Sequence, residues 1–85
     1  MNYYVYILKS QKDGSYYIGH TQDLTDRLRR HNDGRVSYTK AKRPWNLVYL
    51  EKHPDRSSAM AREEEIKKRK SKQFIDSLVR TSRQS

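Results

Sequence analysis

Two short apolar runs separated by a turn signal constrain this chain more than any other feature. Residues 3–8, Tyr-Tyr-Val-Tyr-Ile-Leu, and residues 16–19, Tyr-Tyr-Ile-Gly, are rich in aromatic and β-branched side chains. Such side chains pack well on a pleated sheet surface. Between the runs stands Lys12-Asp13-Gly14-Ser15, and Asp-Gly favours a hairpin because both positions tolerate positive φ. The runs are expected to pair antiparallel. An even-length loop sets Tyr6 opposite Gly19 and Leu8 opposite Tyr17, which makes Tyr6 and Tyr17 diagonal neighbours on one face. Gly19 then leaves an open space beside the two rings. An odd-length loop separates the tyrosines, since a slip of one residue flips every side chain.

The rest of the chain reads as helices around one more strand. Residues 23–33 fit a helix capped by Thr21 or Asp23 and stopped at Gly34. At about 100° per residue from Leu24, Leu28 falls at about 40°, His31 at about 340° and Arg27 at about 300°. Arg27 and His31 therefore border the apolar stripe, one turn apart. Residues 35–45 read as a basic polar loop ending in Arg43-Pro44-Trp45, and residues 46–51 as a third strand broken at His53-Pro54-Asp55. His53 has no evident partner. Ser57 or Ser58 is expected to cap a second helix running to about Arg69, and Ser71 a short third one. Tyr4, Tyr16 and Tyr49 read as core or sheet-face residues and Trp45 as a packing anchor. Tyr38, in the basic loop, is the better base-stacking candidate.

One residue in the second helix breaks the pattern. Measured from Ala59, Ile66 lies at about 340°, Met60 at about 100° and Glu63 at about 40°. Glu63 thus falls inside the apolar sector, where a carboxylate is costly unless it is paired or holds a metal. A salt bridge to Arg or Lys is the bland explanation.

Charge narrows the partner. The 85 residues carry 19 Lys plus Arg against 10 Asp plus Glu, a net of +9. Residues 1–34 hold five basic and four acidic groups, residues 35–56 six and two, and residues 57–85 eight and four. The excess lies in the second half, densest at Lys67-Lys68-Arg69-Lys70. Such a field attracts polyanions, above all nucleic acid. The basic run lacks an opposing apolar face, which disfavours a membrane surface. Absence of Cys excludes a disulfide scaffold and a thiolate zinc site. The length fits a single domain over residues 1–85, with a core at about 2–80 and a flexible tail at 81–85. The start lacks a basic region followed by an apolar stretch, so no signal peptide is expected and the location reads as cytoplasmic.

In order along the chain, Tyr4-Val5-Tyr6, the literal Tyr17-Ile18-Gly19, Arg27 with His31, Arg43-Pro44-Trp45 with Leu47-Val48-Tyr49, and Ala61-Arg62-Glu63 with Ile66-Lys67 resemble the GIY-YIG nuclease superfamily. The likeness is to its small stand-alone bacterial members, of the UPF0213 type, and to the N-terminal domain of excinuclease C. It spans about residues 2–80. Tyr4 stands where the first motif has Gly, and no late Asn follows Glu63.

The resemblance implies an α+β fold, a three-stranded antiparallel sheet flanked by helices in the order β-β-α-β-α-α. It implies an endonuclease that hydrolyses phosphodiester bonds with one Mg²⁺ or Mn²⁺ ion, in DNA repair or recombination. Its implied catalytic residues are Tyr6 as general base, Tyr17 orienting water or phosphate, Arg27 on the phosphate oxygens, His31 sharing a proton or steadying Tyr6, and Glu63 holding the metal. Nucleic-acid contacts fall on His20, Lys40, Lys42, Arg43 and Lys67. The polymer is DNA ahead of RNA. With no room for a second DNA-binding domain, specificity comes from the basic surface, a protein partner or a homodimer. The alternatives are a non-catalytic basic nucleic-acid-binding module of the same fold, and a protein that recruits a larger repair complex.

Overall fold

The computed structural model describes residues 2–69 and 71–84, the last three of these by their backbone alone. Lys70 of the basic run, Ser85 and the side chains of 82–84 in the expected flexible tail lie outside the described residues. The elements in chain order are β1 (Tyr3–Ser10), β2 (Tyr16–Thr21), α1 (Leu24–Asn32), α2 (Ser37–Lys40), β3 (Trp45–His53), α3 (Arg56–Arg69) and α4 (Lys72–Gln84). The strands form one antiparallel sheet in the order β2-β1-β3. This is the α+β sheet-and-helix architecture the sequence implies.

The continuous apolar character of β1 has a simple cause. It is the central strand, and both its faces are covered. Val5 and Ile7 join Ile18, Ala59, Ile66, Ile75 and Val79 in a core beneath α3 and α4. Tyr6 and Leu8 point the other way and pack with Trp45, Tyr17, Leu24 and Leu28 beneath α1.

The hairpin takes the even register, with Tyr6 opposite Gly19 and Leu8 opposite Tyr17. Its loop closes through Ser10 and Ser15, bonded N–H to O at 2.8 Å, and Gly14 adopts the left-handed conformation at φ 77°.

Several expectations about the helices need correction. Residues 35–45 are not all loop: Val36 enters a one-turn helix, α2. Only four residues are helical there, too few for a periodic pattern to show. The start of α3 is held by Asp55, whose carboxylate accepts the Ser58 N–H at 2.8 Å, and not by Ser57 or Ser58. The last helix has 13 residues and is not short. Its expected start is right, since Ser71 Oγ accepts the Phe74 N–H at 3.2 Å. His53 is not partnerless either. Its Nε2 lies 2.9 Å from Glu51, which also accepts from Arg62.

Of the two caps expected for α1, Asp23 is the one used, its Oδ1 accepting the Asp26 N–H at 3.0 Å. Asp23→Ala removes that acceptor and should lower stability by about 1 kcal/mol, read as a lower urea midpoint at unchanged m-value. At the other end of α1, Asn32 ties the helix to β3. Its amide donates to the Trp45 carbonyl at 3.2 Å and its oxygen accepts the Trp45 N–H at 2.7 Å.

Candidate active site

The site is built round the free edge of β2. Tyr6 comes from the buried centre of β1 and is 1% exposed. Register places it and Tyr17 on the α1 side of the sheet, with ring centroids 6.3 Å apart. α1 delivers His31 onto the same pair. The His31 ring lies 4.8 Å from that of Tyr17, and its Nε2 lies 3.1 Å from the Tyr6 hydroxyl. His31 is fully buried, and its Nδ1 lies 2.8 Å from Thr39 Oγ1 in α2.

The expected open space beside Gly19 is absent. A Cβ at Gly19 would lie 2.6 Å from the Tyr6 hydroxyl oxygen and 3.2 Å from the Tyr17 ring. The missing side chain is therefore the room that the Tyr6 phenol fills.

His20 projects to the opposite face from Gly19, toward α3, and there meets Glu63. Glu63 does lie inward, with 16% of its side chain exposed. Its Oε1 is 2.6 Å from His20 Nδ1 and its Oε2 is 2.6 Å from Lys67 Nζ. Burial alone would raise the Glu63 carboxyl, but the hydrogen bonds from Lys67 and His20 outweigh it and hold it below the ordinary carboxylate value. An ionised carboxylate only accepts, so His20 Nδ1 is the donor. Arg62 takes no part, being engaged by Glu51 and Glu65.

Arg27 makes no hydrogen bond or ion pair to another side chain among the described residues. It lines a cavity of about 320 Å³ with His20, Tyr3 and Asp26, round the end of β2. Its charge is felt by both members of the buried pair. Burial, and then Tyr17, push the Tyr6 phenol far above its usual value, with Glu63 adding to the rise and Arg27 opposing it. Burial, and then Arg27, hold the His31 imidazole below its usual value. Tyr6 and His31 are thus a neutral phenol beside a neutral imidazole at pH 7. Of the other four candidates, Tyr17 and His31 touch Tyr6, and Arg27 and Glu63 act on it through charge alone.

The expected nucleic-acid contacts divide. Lys40 and Arg43 line a groove of about 450 Å³ with Lys12 and Ser37. Lys42 instead pairs with Asp13 in the hairpin loop at 3.5 Å. His20 and Lys67 are held by Glu63 in this structure. Lys67 also lines a cavity of about 430 Å³ with Tyr16, Tyr17, Ile18 and Tyr38. Tyr38 is 81% exposed and its ring centroid lies 6.0 Å from that of Tyr17. Trp45 is buried and donates its indole N–H to the Thr39 carbonyl at 2.9 Å, as a packing anchor should.

Thr39 was not foreseen from the sequence as part of this assembly. A lone Thr in a basic stretch carries no local signal, and only the α2 turn brings it against His31.

Among the described residues, no three carboxylate, imidazole or thiol groups gather to hold a metal ion. Glu63 is the carboxylate that could hold a divalent ion, with water and phosphate completing its shell, once His20 or Lys67 gives up an oxygen. The Lys67 ammonium on Oε2 marks where positive charge is already welcome.

Residues 2–75 match the model of the GIY-YIG catalytic domain, and the chain belongs to that family. Within it, the chain is similar to UPF0213 proteins. The UPF0213 protein SSP2268 of Staphylococcus saprophyticus is 47% identical over 66 residues, which is 76% of this chain and 79% of that protein. The UPF0213 protein SAV0488 of Staphylococcus aureus is 45% identical over 67 residues, 78% and 80% of the two chains. The solution NMR structure of the UPF0213 protein BH0048 from Bacillus halodurans superposes with a TM-score of 0.55 at 39% identity, covering 89% of this chain and 84% of that one. Among the described residues no helix is long and apolar enough to cross a membrane.

Proposed function

We propose that this protein is a small endonuclease that hydrolyses phosphodiester bonds in nucleic acid, acting in the cytoplasm on DNA in repair or recombination. The observation that carries this reading is Arg27, a guanidinium with no side-chain partner among the described residues, whose charge reaches a buried phenol–imidazole pair, Tyr6 and His31, bonded at 3.1 Å. That is an anion receptor set against a proton acceptor, which is what attack of water on a phosphate requires.

The roles follow. Arg27 takes the non-bridging phosphate oxygens, where charge accumulates. Tyr17 orients water or phosphate at the cleft. Tyr6 takes a proton from the attacking water while its own proton passes to His31 Nε2. The water oxygen bonds to phosphorus, and the bond to the leaving oxygen breaks with its electron pair. Because the phenol sits so high, a standing phenolate is disfavoured, and this exchange of one proton for another avoids it. Glu63 would hold a divalent ion, which supplies Lewis-acid relief of negative charge. Lys40 and Arg43 carry the flanking backbone, and Tyr38 offers a ring to an unpaired base.

The test incubates the protein with branched, single-stranded and duplex DNA, and with RNA, in Mg²⁺ or Mn²⁺. Arg27→Ala should lower cleavage by about 10²-fold or more with the fold intact by circular dichroism. Activity untouched by both Arg27→Ala and Glu63→Ala would mean that it arises elsewhere.

One observation favours a second reading. Both Glu63 oxygens are engaged by side chains, as suits a non-catalytic basic module that binds nucleic acid. That module binds with strong salt dependence, without metal, and retains affinity in Glu63→Ala.

A further inference from the structure

We infer that Thr39 is a positioning residue, which holds His31 as the Nδ1–H tautomer so that Nε2 is free to take the Tyr6 proton. The inference rests on the nuclease reading for its catalytic consequence, but the tautomer itself does not.

The argument is an account of hydrogens. Three polar side chains are sealed together: Tyr6 is 1% exposed, and His31 and Thr39 are 0% exposed. Two bonds connect them, Tyr6 Oη to His31 Nε2 at 3.1 Å and His31 Nδ1 to Thr39 Oγ1 at 2.8 Å, and a third ties Thr39 Oγ1 to the Val36 carbonyl at 3.3 Å. The last fixes the direction of the others, because a carbonyl can only accept. The Thr39 hydroxyl spends its one proton on Val36, so its oxygen accepts from Nδ1–H. A neutral imidazole carries one N–H, so Nε2 is left as an acceptor and the Tyr6 hydroxyl donates to it.

The opposite tautomer fails the same account. The Thr39 hydroxyl would donate to Nδ1 and give up the Val36 carbonyl, Nε2–H would donate to Tyr6, and the Tyr6 proton would have no protein acceptor among the bonds present. A buried donor left without a protein acceptor costs more than a typical hydrogen bond returns.

The hold on Thr39 is itself firm. Its N–H donates to the Val36 carbonyl at 3.1 Å, and its carbonyl accepts the Trp45 indole N–H at 2.9 Å. The one-turn helix α2 thus serves the chemistry by aiming a single hydroxyl. With Nε2 unprotonated, the exchange from water to Tyr6 and from Tyr6 to His31 can run. With Nε2–H, it is blocked at its last step.

The ring nitrogens of ¹⁵N-labelled protein distinguish the tautomers directly by long-range ¹H–¹⁵N correlation near pH 8. The wild type should show a pyrrole-type Nδ1 and a pyridine-type Nε2. Thr39→Val, nearly isosteric but without an acceptor, should move the proton toward Nε2, and Thr39→Ser should restore the wild-type pattern. In cleavage assays kcat should fall by about 10- to 100-fold in Thr39→Val, with KM within about twofold, and recover in Thr39→Ser.

A wild-type Nε2–H, or an Nδ1–H that persists in Thr39→Val, overturns the inference. So does full cleavage activity in a Thr39→Val protein whose tautomer has changed. Should Thr39→Val not fold, the wild-type spectrum and Thr39→Ser still decide. If no nucleic acid is cleaved, the nuclease reading falls while the nitrogen shifts judge the hold of Thr39 on His31.

Discussion

Glu63→Gln should abolish metal-dependent cleavage, by about 10²–10³-fold or more, while leaving the chain folded. The two halves of this expectation have separate grounds. Glu63 is a carboxylate whose charge is felt by the Tyr6 phenol, and a neutral amide offers a divalent ion no charge. The fold survives because the core beneath α3 is made by Ala59 and Ile66, both fully buried, and not by Glu63. Glutamine keeps the shape and can still accept from His20. Binding of Mn²⁺ followed by calorimetry, in the absence of nucleic acid, should weaken in parallel. Cleavage at wild-type rates in Glu63→Gln would remove the acid from the mechanism and favour the binding-module reading.

The same residue predicts a pH signature in stability. Its folded-state carboxyl lies below the ordinary 4.5, because the bonds from Lys67 and His20 exceed the cost of burial. A depressed folded value means that its contribution is fully present above the unfolded value and is lost as pH falls through the folded one. Glu63→Gln should therefore be less stable than wild type at pH 7, and the gap should close as pH falls below the ordinary carboxylate value and through the lower folded-state one. The gap will be modest, since the Lys67 side chain is 51% exposed and water screens that pair.

How far the sequence discloses this site depends on the distance over which each signal acts. The pairing of Tyr6 with Tyr17 was legible as one of two outcomes, because strand periodicity is two and the parity of one loop length decides it for every residue in the hairpin. Glu63 was legible as an anomaly, an acid at an apolar helical angle. The partner that answers it was not: His20 lies 43 residues away, and only the packing of α3 on the edge of β2 brings the two together. Thr39 lay beyond reach for a related reason. A four-residue helix has no repeat, and the bond that matters crosses from α2 to α1. Lys42 shows the opposite failure. It belongs by composition to the basic cluster, yet Asp13 captures it across the hairpin loop. Charge counts report the field of a surface, whereas individual pairings depend on geometry that the count does not contain.

Gly19→Ala should damage both stability and activity, although the backbone at this position is ordinary and adds no strain of its own. The damage comes from space. An added Cβ would lie 2.6 Å from the Tyr6 hydroxyl oxygen, 2.7 Å from Tyr6 Cζ and 3.2 Å from Tyr17 Cε2. A flexible side chain would give way cheaply, but Tyr6 cannot. Its ring is buried between Gly19, Tyr17 and His31, and its hydroxyl is tethered to Nε2. Relief requires the phenol to leave His31 or β2 to move off β1, and overpacking of this kind costs about 1–3 kcal/mol. For a chain this short that is about 5 °C or more in Tm. Where the phenol moves, the proton path from water to His31 is cut, and cleavage should fall by about 10²-fold or more. The two losses can be separated with Tyr6→Phe in the Gly19→Ala background. Removing the oxygen relieves the 2.6 Å contact but leaves the carbon at 2.7 Å, so stability should recover in part. Activity should not recover at all, because the group that passes the proton is gone. A Gly19→Ala protein as stable and as active as wild type would show that Tyr6 does not rest against the β2 backbone.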